Sequence, residues 1–172
     1  MATNDDCGHS HTCCTKVSSV SQSIDEMSFE RGIWQTAVDN NYSRTKKLLE
    51  KGVSADAADS SGYTALHYAS RAGHIEIIKL LFEFKANPNA ETRAGRDRPI
   101  HRAAYQGQDV VVKLLLRKGA DPLAQNADGQ TALHKAVQRN EEHVVALLLK
   151  EAPALKDIKD KKGKCPFDYR TT

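Results

Sequence analysis

The sequence predicts an all-α fold: a solenoid of stacked helix–turn–helix units joined by looped or hairpin-like connections. Two observations carry that prediction. Thr64-Ala65-Leu66-His67 recurs as Thr131-Ala132-Leu133-His134, with Arg98-Pro99-Ile100-His101 between them, so the histidines stand 34 and then 33 residues apart. The same columns return around each histidine. Alanine follows two residues later (Ala69, Ala103, Ala136), and a leucine pair thirteen residues later (Leu80-Leu81, Leu114-Leu115, Leu147-Leu148). Self-similarity at such a period marks a repeat architecture, in which one unit cannot bury its own apolar face and stacked copies can.

Each column has a local reason. Apolar residues at 66, 69 and 72 suit a short helix with one buried stripe. The alanines let neighbouring helices approach closely. Thr64 and Thr131 are placed as N-caps, with His67 and His134 at N3 able to bond back, and Pro99 fits the first turn of the third copy. Four residues after each alanine comes Asn41, Gly73, Gly107 or Asn140. These residues tolerate left-handed backbone and end the first helix. A second apolar pattern follows, from Ile75 to Leu81, Val110 to Leu116 and Val144 to Leu149. A polar turn then leads to Asp59-Ser60-Ser61-Gly62 or Asp128-Gly129 ahead of the next threonine.

Run backwards, the frame finds a first copy with Ala37 and Leu48-Leu49. It puts Trp34 in the leucine column and Gln35 in the histidine column. The third copy has Gly95-Arg96-Asp97-Arg98 where a Gly-x-Thr string is expected, so its loop is shifted by one residue. After Gly163 a partial copy runs Lys164-Cys165-Pro166-Phe167-Asp168-Tyr169, with Phe167 in the leucine column.

Thr-Ala-Leu-His-x-Ala, followed by glycine and a leucine pair, resembles the ankyrin repeat. The resemblance covers roughly residues 27–172. It implies antiparallel helix pairs with loops projecting to one side, and it implies protein binding without catalysis. The organisation expected is a disordered tail over 1–23 and a repeat domain over 24–172. The repeats fall near 29–58, 62–94, 96–127 and 129–161, with a partial C-terminal cap over 163–172.

Composition excludes several other functions. The chain has 172 residues, 25 basic and 22 acidic, a balance that gives no bias toward nucleic acid or membrane. The longest apolar run is Val144 to Leu149, too short to span a bilayer. No basic region followed by an apolar stretch opens the chain, so the cytosol or nucleus is the expected compartment. Cys7, Cys13, Cys14 and Cys165 form no spaced disulfide framework.

Catalytic groups do not recur at a fixed structural period, so His67, His101 and His134 read as caps. No phosphate loop or activated nucleophile is seen, and the expectation is a non-enzyme without cofactor or small-molecule substrate. Cys7, His9, His11, Cys13 and Cys14 crowd five zinc-type ligands near the N-terminus. Extended, Cys7 and Cys13 stand about 20 Å apart, and no Cys-x-x-Cys pair seeds a site. A polar tail is the preferred reading over a metal site. Lys156 to Lys164 holds five lysines broken by Asp157 and Asp160, which reads as a solvated face. The resemblance also implies that an inter-repeat asparagine such as Asn89 is open to hydroxylation. Pro88 replaces the usual valine before it, which favours a plain turn residue.

The short helices point some side chains away from the leucine columns: Tyr68, Arg71, Arg102, Tyr105, Lys135, Gln138 and Arg139. In the family this face and the loop tips make the concave binding surface. Tyrosine and arginine are enriched in interface hot spots. These seven residues are therefore the expected contact set for a protein partner with an acidic or mixed surface, and Tyr68 is read as dispensable for stability. A regulator of an enzyme such as a kinase is the alternative, and a metal-dependent role of the tail is a third.

Overall fold

The computed structural model describes residues 32–170. The N-terminal tail and the Cys7, His9, His11, Cys13 and Cys14 cluster lie outside them. Among the described residues, eight α-helices alternate short and long. Residues 32–38 form α1, followed by α2 (Tyr42–Glu50), α3 (Ala65–Ala72) and α4 (Ile75–Glu83). Then come α5 (Pro99–Tyr105), α6 (Asp109–Arg117), α7 (Ala132–Gln138) and α8 (Glu142–Glu151). Two 3₁₀ turns close the described chain, Pro153–Asp157 and Pro166–Tyr169.

The short helices α3, α5 and α7 pack side by side, and the last turn packs on α7. The long helices form the second layer, with α2 against α4 and α6 against α8. The columns fill the space between the layers. Leu66, Ile100 and Leu133 are fully buried, as are Leu81, Leu115 and Leu148 and the three column alanines. Each such leucine is worth about 1.5–3 kcal/mol relative to exposure, and only the stack supplies the covering surface.

Between the helices of a pair, one residue turns left-handed: Gly73 (φ 82°), Gly107 (φ 70°) and Asn140 (φ 57°). In the first unit that residue is Asn40 (φ 54°), not Asn41. Asn41 has φ −89° and caps α2 instead, its side chain accepting from the Arg44 N–H at 3.0 Å. The first unit is therefore one residue out of the frame read from sequence. Ile33 occupies the leucine column, fully buried, and Trp34 occupies the histidine column. Leu48-Leu49 is compatible with either frame, and the left-handed residue decides between them. Thr36 stands in the alanine column, where its hydroxyl donates to the Ile33 carbonyl (2.9 Å) and accepts from Thr45 (3.0 Å).

The connections between units project as arms and stack on one another. The Arg93 N–H donates to the Ser61 carbonyl (3.0 Å), Ala127 to Gly95 (2.8 Å) and Lys161 to Asp128 (3.0 Å). One residue organises each arm from within. Asp59 Oδ1 accepts from the Ser61 and Tyr63 amides, Asn126 Oδ1 from Asp128 and Gln130, and Asp160 Oδ1 from Lys162 and Lys164. The arm that leads into the third copy departs as expected. It runs from Thr92, whose hydroxyl accepts from Asp97 (3.0 Å), and it contains one more residue. Arg96 takes the left-handed position there, φ 50°, where the other arms use glycine.

Candidate protein-binding surface

The repeated histidines set the geometry between short helix and arm. In α3 the Thr64 N–H donates to His67 Nδ1 (3.1 Å), leaving Nε2–H to donate to the Asp97 carbonyl (3.0 Å). His101 does the same between the Arg98 N–H and the Ala124 carbonyl, and His134 between Thr131 and the Lys164 carbonyl. Each ring is a neutral Nε2–H tautomer, assigned from this hydrogen-bond pattern. Burial, the dominant cause, lowers the pKa of all three. Trp34 Nε1–H supplies the matching bond in the first unit, to the Ala57 carbonyl at 2.8 Å. These groups clamp each helix to the next arm.

The seven predicted contact residues all lie on α3, α5 and α7 or directly after α7, beside the arms. Arg71, Tyr105 and Arg139 are exposed, and Tyr68, Arg102, Lys135 and Gln138 are half-buried. A shallow cavity of about 370 Å³ opens between α5 and α7, lined by Asp97, His101, Arg102, Tyr105, Lys135 and Gln138. Tyr105 remains 39% exposed beside it. The Arg139 guanidinium sits over the Tyr105 ring, 5.0 Å from its centroid.

Two of the seven are also structural. The Tyr68 hydroxyl donates to Asp59 Oδ2 at 2.8 Å, tying α3 to the carboxylate that organises its arm. Burial and this bond both raise its pKa. Tyr68 is thus not the free surface group that its sequence position suggested. Arg102 reaches Asp97 Oδ2 (3.4 Å) and the Tyr63 hydroxyl, with its guanidinium 4.8 Å from the Tyr63 centroid. Tyr169 repeats the Tyr68 contact, bonding Asp160 and lowering that carboxyl to about 2.

Sequence reasoning missed the arm column that faces this surface: Tyr63, Asp97, Gln130 and Lys164. Its signal was present, since each precedes a cap residue by one position. Asp97 is fully engaged, because Asn126 Nδ2 donates to its other oxygen at 2.9 Å. Lys164 lies over the Tyr169 ring, 5.1 Å from its centroid. Asn89 is held in the inter-repeat turn. Its amide donates to the Gly119 carbonyl (2.9 Å), and its oxygen accepts from the Asp121 N–H (3.0 Å). The five lysines from Lys156 to Lys164 are all exposed. No group of three potential metal ligands occurs among the described residues.

A family model described as ankyrin repeats (3 copies) matches residues 12–92, 33–126 and 100–169. The chain belongs to the ankyrin-repeat family. It is 45% identical over 83 residues to human ankyrin repeat domain-containing protein 39, an alignment covering 46% of this chain and 45% of that one. It is 52% identical over 65 residues to the bovine protein of that name, covering 36% of each. The chain thus spans less than half the length of these relatives. A putative ankyrin repeat-containing protein of Treponema pallidum is 33% identical over 135 residues, 78% of this chain and 45% of that one. Ankyrin repeats indicate a protein–protein interaction module, generally non-catalytic. Among the described residues no helix is long and apolar enough to cross a membrane.

Proposed function

We propose that this chain is a non-catalytic adaptor or scaffold, acting in the cytosol or nucleus, that binds a protein partner along the face of α3, α5 and α7. The observation that carries the reading is the exposed Tyr105 ring beneath Arg139, at the rim of the α5–α7 cavity. An aromatic ring pre-positioned by a cation offers contact area at low entropic cost, the chemistry of an interface anchor. His67, His101 and His134 are occupied as clamps at both ring nitrogens.

Affinity capture from cells tests the reading by comparing wild type with Tyr105→Ala/Arg139→Ala and with Lys113→Ala/Lys150→Ala on the long helices. The expected result is that partners recovered with wild type and with the long-helix variant are lost with the α5–α7 variant. Retention by the α5–α7 variant and loss by the long-helix one overturns it.

A further inference from the structure

The unpaired charge on this face is one-sided. From α3 to the last turn the face carries Arg71, Arg102, Lys135, Arg139 and Lys164, while its carboxylates are engaged: Asp97 lines the cavity, and Asp59 and Asp160 accept from Tyr68 and Tyr169. Asp97 is already spent on Arg102 and Asn126. Arg71, Lys135, Arg139 and Lys164 form no ion pair with any described residue. Apart from Arg102–Asp97, the ion pairs among the described residues lie elsewhere: along the long helices (Lys46–Glu50, Lys79–Glu76), at the arm base (Arg98–Glu91, Arg96–Glu91, Arg98–Asp121) or between α8 and the last turn (Arg170–Glu142). The long helices balance their charge, whereas this face concentrates it, in a chain whose formal net charge is only +3.

Arg139 and Lys164 rest on the tyrosine rings of Tyr105 and Tyr169. Cation–π seating holds a charge in place without neutralising it, so both remain available to an anion. The cations also recur along the stack, from α3 through α5 and α7 to the final arm. Packed helices lie about 8–10 Å apart, and an extended chain advances about 3.3 Å per residue, so one unit corresponds to about three residues of an extended peptide.

We propose that this face takes an extended acidic peptide segment of a partner protein, with carboxylates at multiples of three residues that meet the unpaired cations of the second unit (Arg71), the fourth (Lys135 and Arg139) and the last arm (Lys164). The proposal rests on the reading of this face as the partner surface and specifies the partner's chemistry. Lys135 and Arg139 flank the α5–α7 cavity and hold the central carboxylate between them. The exposed Tyr105 ring packs the backbone between them.

The test uses the whole ¹⁵N-labelled chain and a synthetic peptide of about ten residues, with aspartate at every third position and serine or glycine between. A second peptide carries lysine at the same positions. The expected result is movement of the amide signals of 99–105 and 132–139 with the aspartate peptide alone. Lys135→Glu/Arg139→Glu weakens its binding by about tenfold or more, while Lys113→Glu/Lys150→Glu changes it by less than about twofold. Each variant's amide spectrum reports whether it is folded. No movement at millimolar peptide overturns the proposal, as does equal movement with the lysine peptide. Equal weakening by the long-helix reversals overturns it too, because net charge alone would then be at work. If the peptide fails while cellular capture still depends on Tyr105 and Arg139, the acidic chemistry falls and the partner surface stands. If capture is also indifferent to those residues, both fall.

Discussion

Each histidine of the repeated column satisfies two backbone groups with one neutral ring, and that neutrality has a pH signature. Nδ1 must stay unprotonated to accept from the cap N–H, while Nε2–H holds the carbonyl of the following arm. Burial lowers the folded-state pKa of His67, His101 and His134 below the unfolded value of about 6.5. The stability these rings contribute is therefore complete above about pH 6.5 and drains away as pH falls through the lowered folded values. Urea titrations from pH 8 to 5 are expected to show stability declining from near 6.5 downward, ahead of the carboxylates. A flat profile over that range would contradict the lowered values, and with them the buried neutral rings. Trp34 makes the corresponding bond with an indole N–H, which has no proton to gain in this range, so the first unit is insulated from the effect.

At the scale of the element, the arms are as much a part of the stack as the helices. Gly129 has φ +77°, and a Cβ there would lie 2.9 Å from the Lys161 nitrogen, the donor of the inter-arm bond to Asp128. Gly119 has φ +88° but open space around the added atom. Gly119→Ala is expected to cost about 1–2 kcal/mol, the left-handed penalty alone. Gly129→Ala is expected to cost clearly more, because the clash pushes one arm off the next. Equal losses by denaturant titration would mean that the arm ladder contributes nothing.

The helical columns were legible in the sequence because leucine, alanine and histidine repeat by identity. The one-residue slip in the first unit was not, since Leu48-Leu49 satisfies two frames and only the backbone at Asn40 separates them. The ladder between arms was hidden for a similar reason. It is made of peptide groups, so Ser61, Gly95 and Asp128 share a role without sharing a side chain. The bond from Tyr68 to Asp59 was equally invisible, because a spacing of nine residues across a turn is no helical or strand period.

Taken as a whole, the molecule separates two jobs. The long-helix layer and the leucine columns supply burial, and the short-helix face with its arms carries a cluster of cations around the exposed Tyr105 ring. The residues expected to touch a partner came from the helix period, and the structure places them on one side, beside a cavity that the sequence did not announce. Asp97 and Lys164 joined the face only through the arms, which bring them over helices distant in the chain. Hydrogen exchange of the chain, alone and bound to its captured partner, tests the central claim most directly. The account predicts new protection over 99–105 and 132–139, with 109–117 and 142–151 unchanged. Protection gained over α6 and α8, with none over α5 and α7, would contradict it.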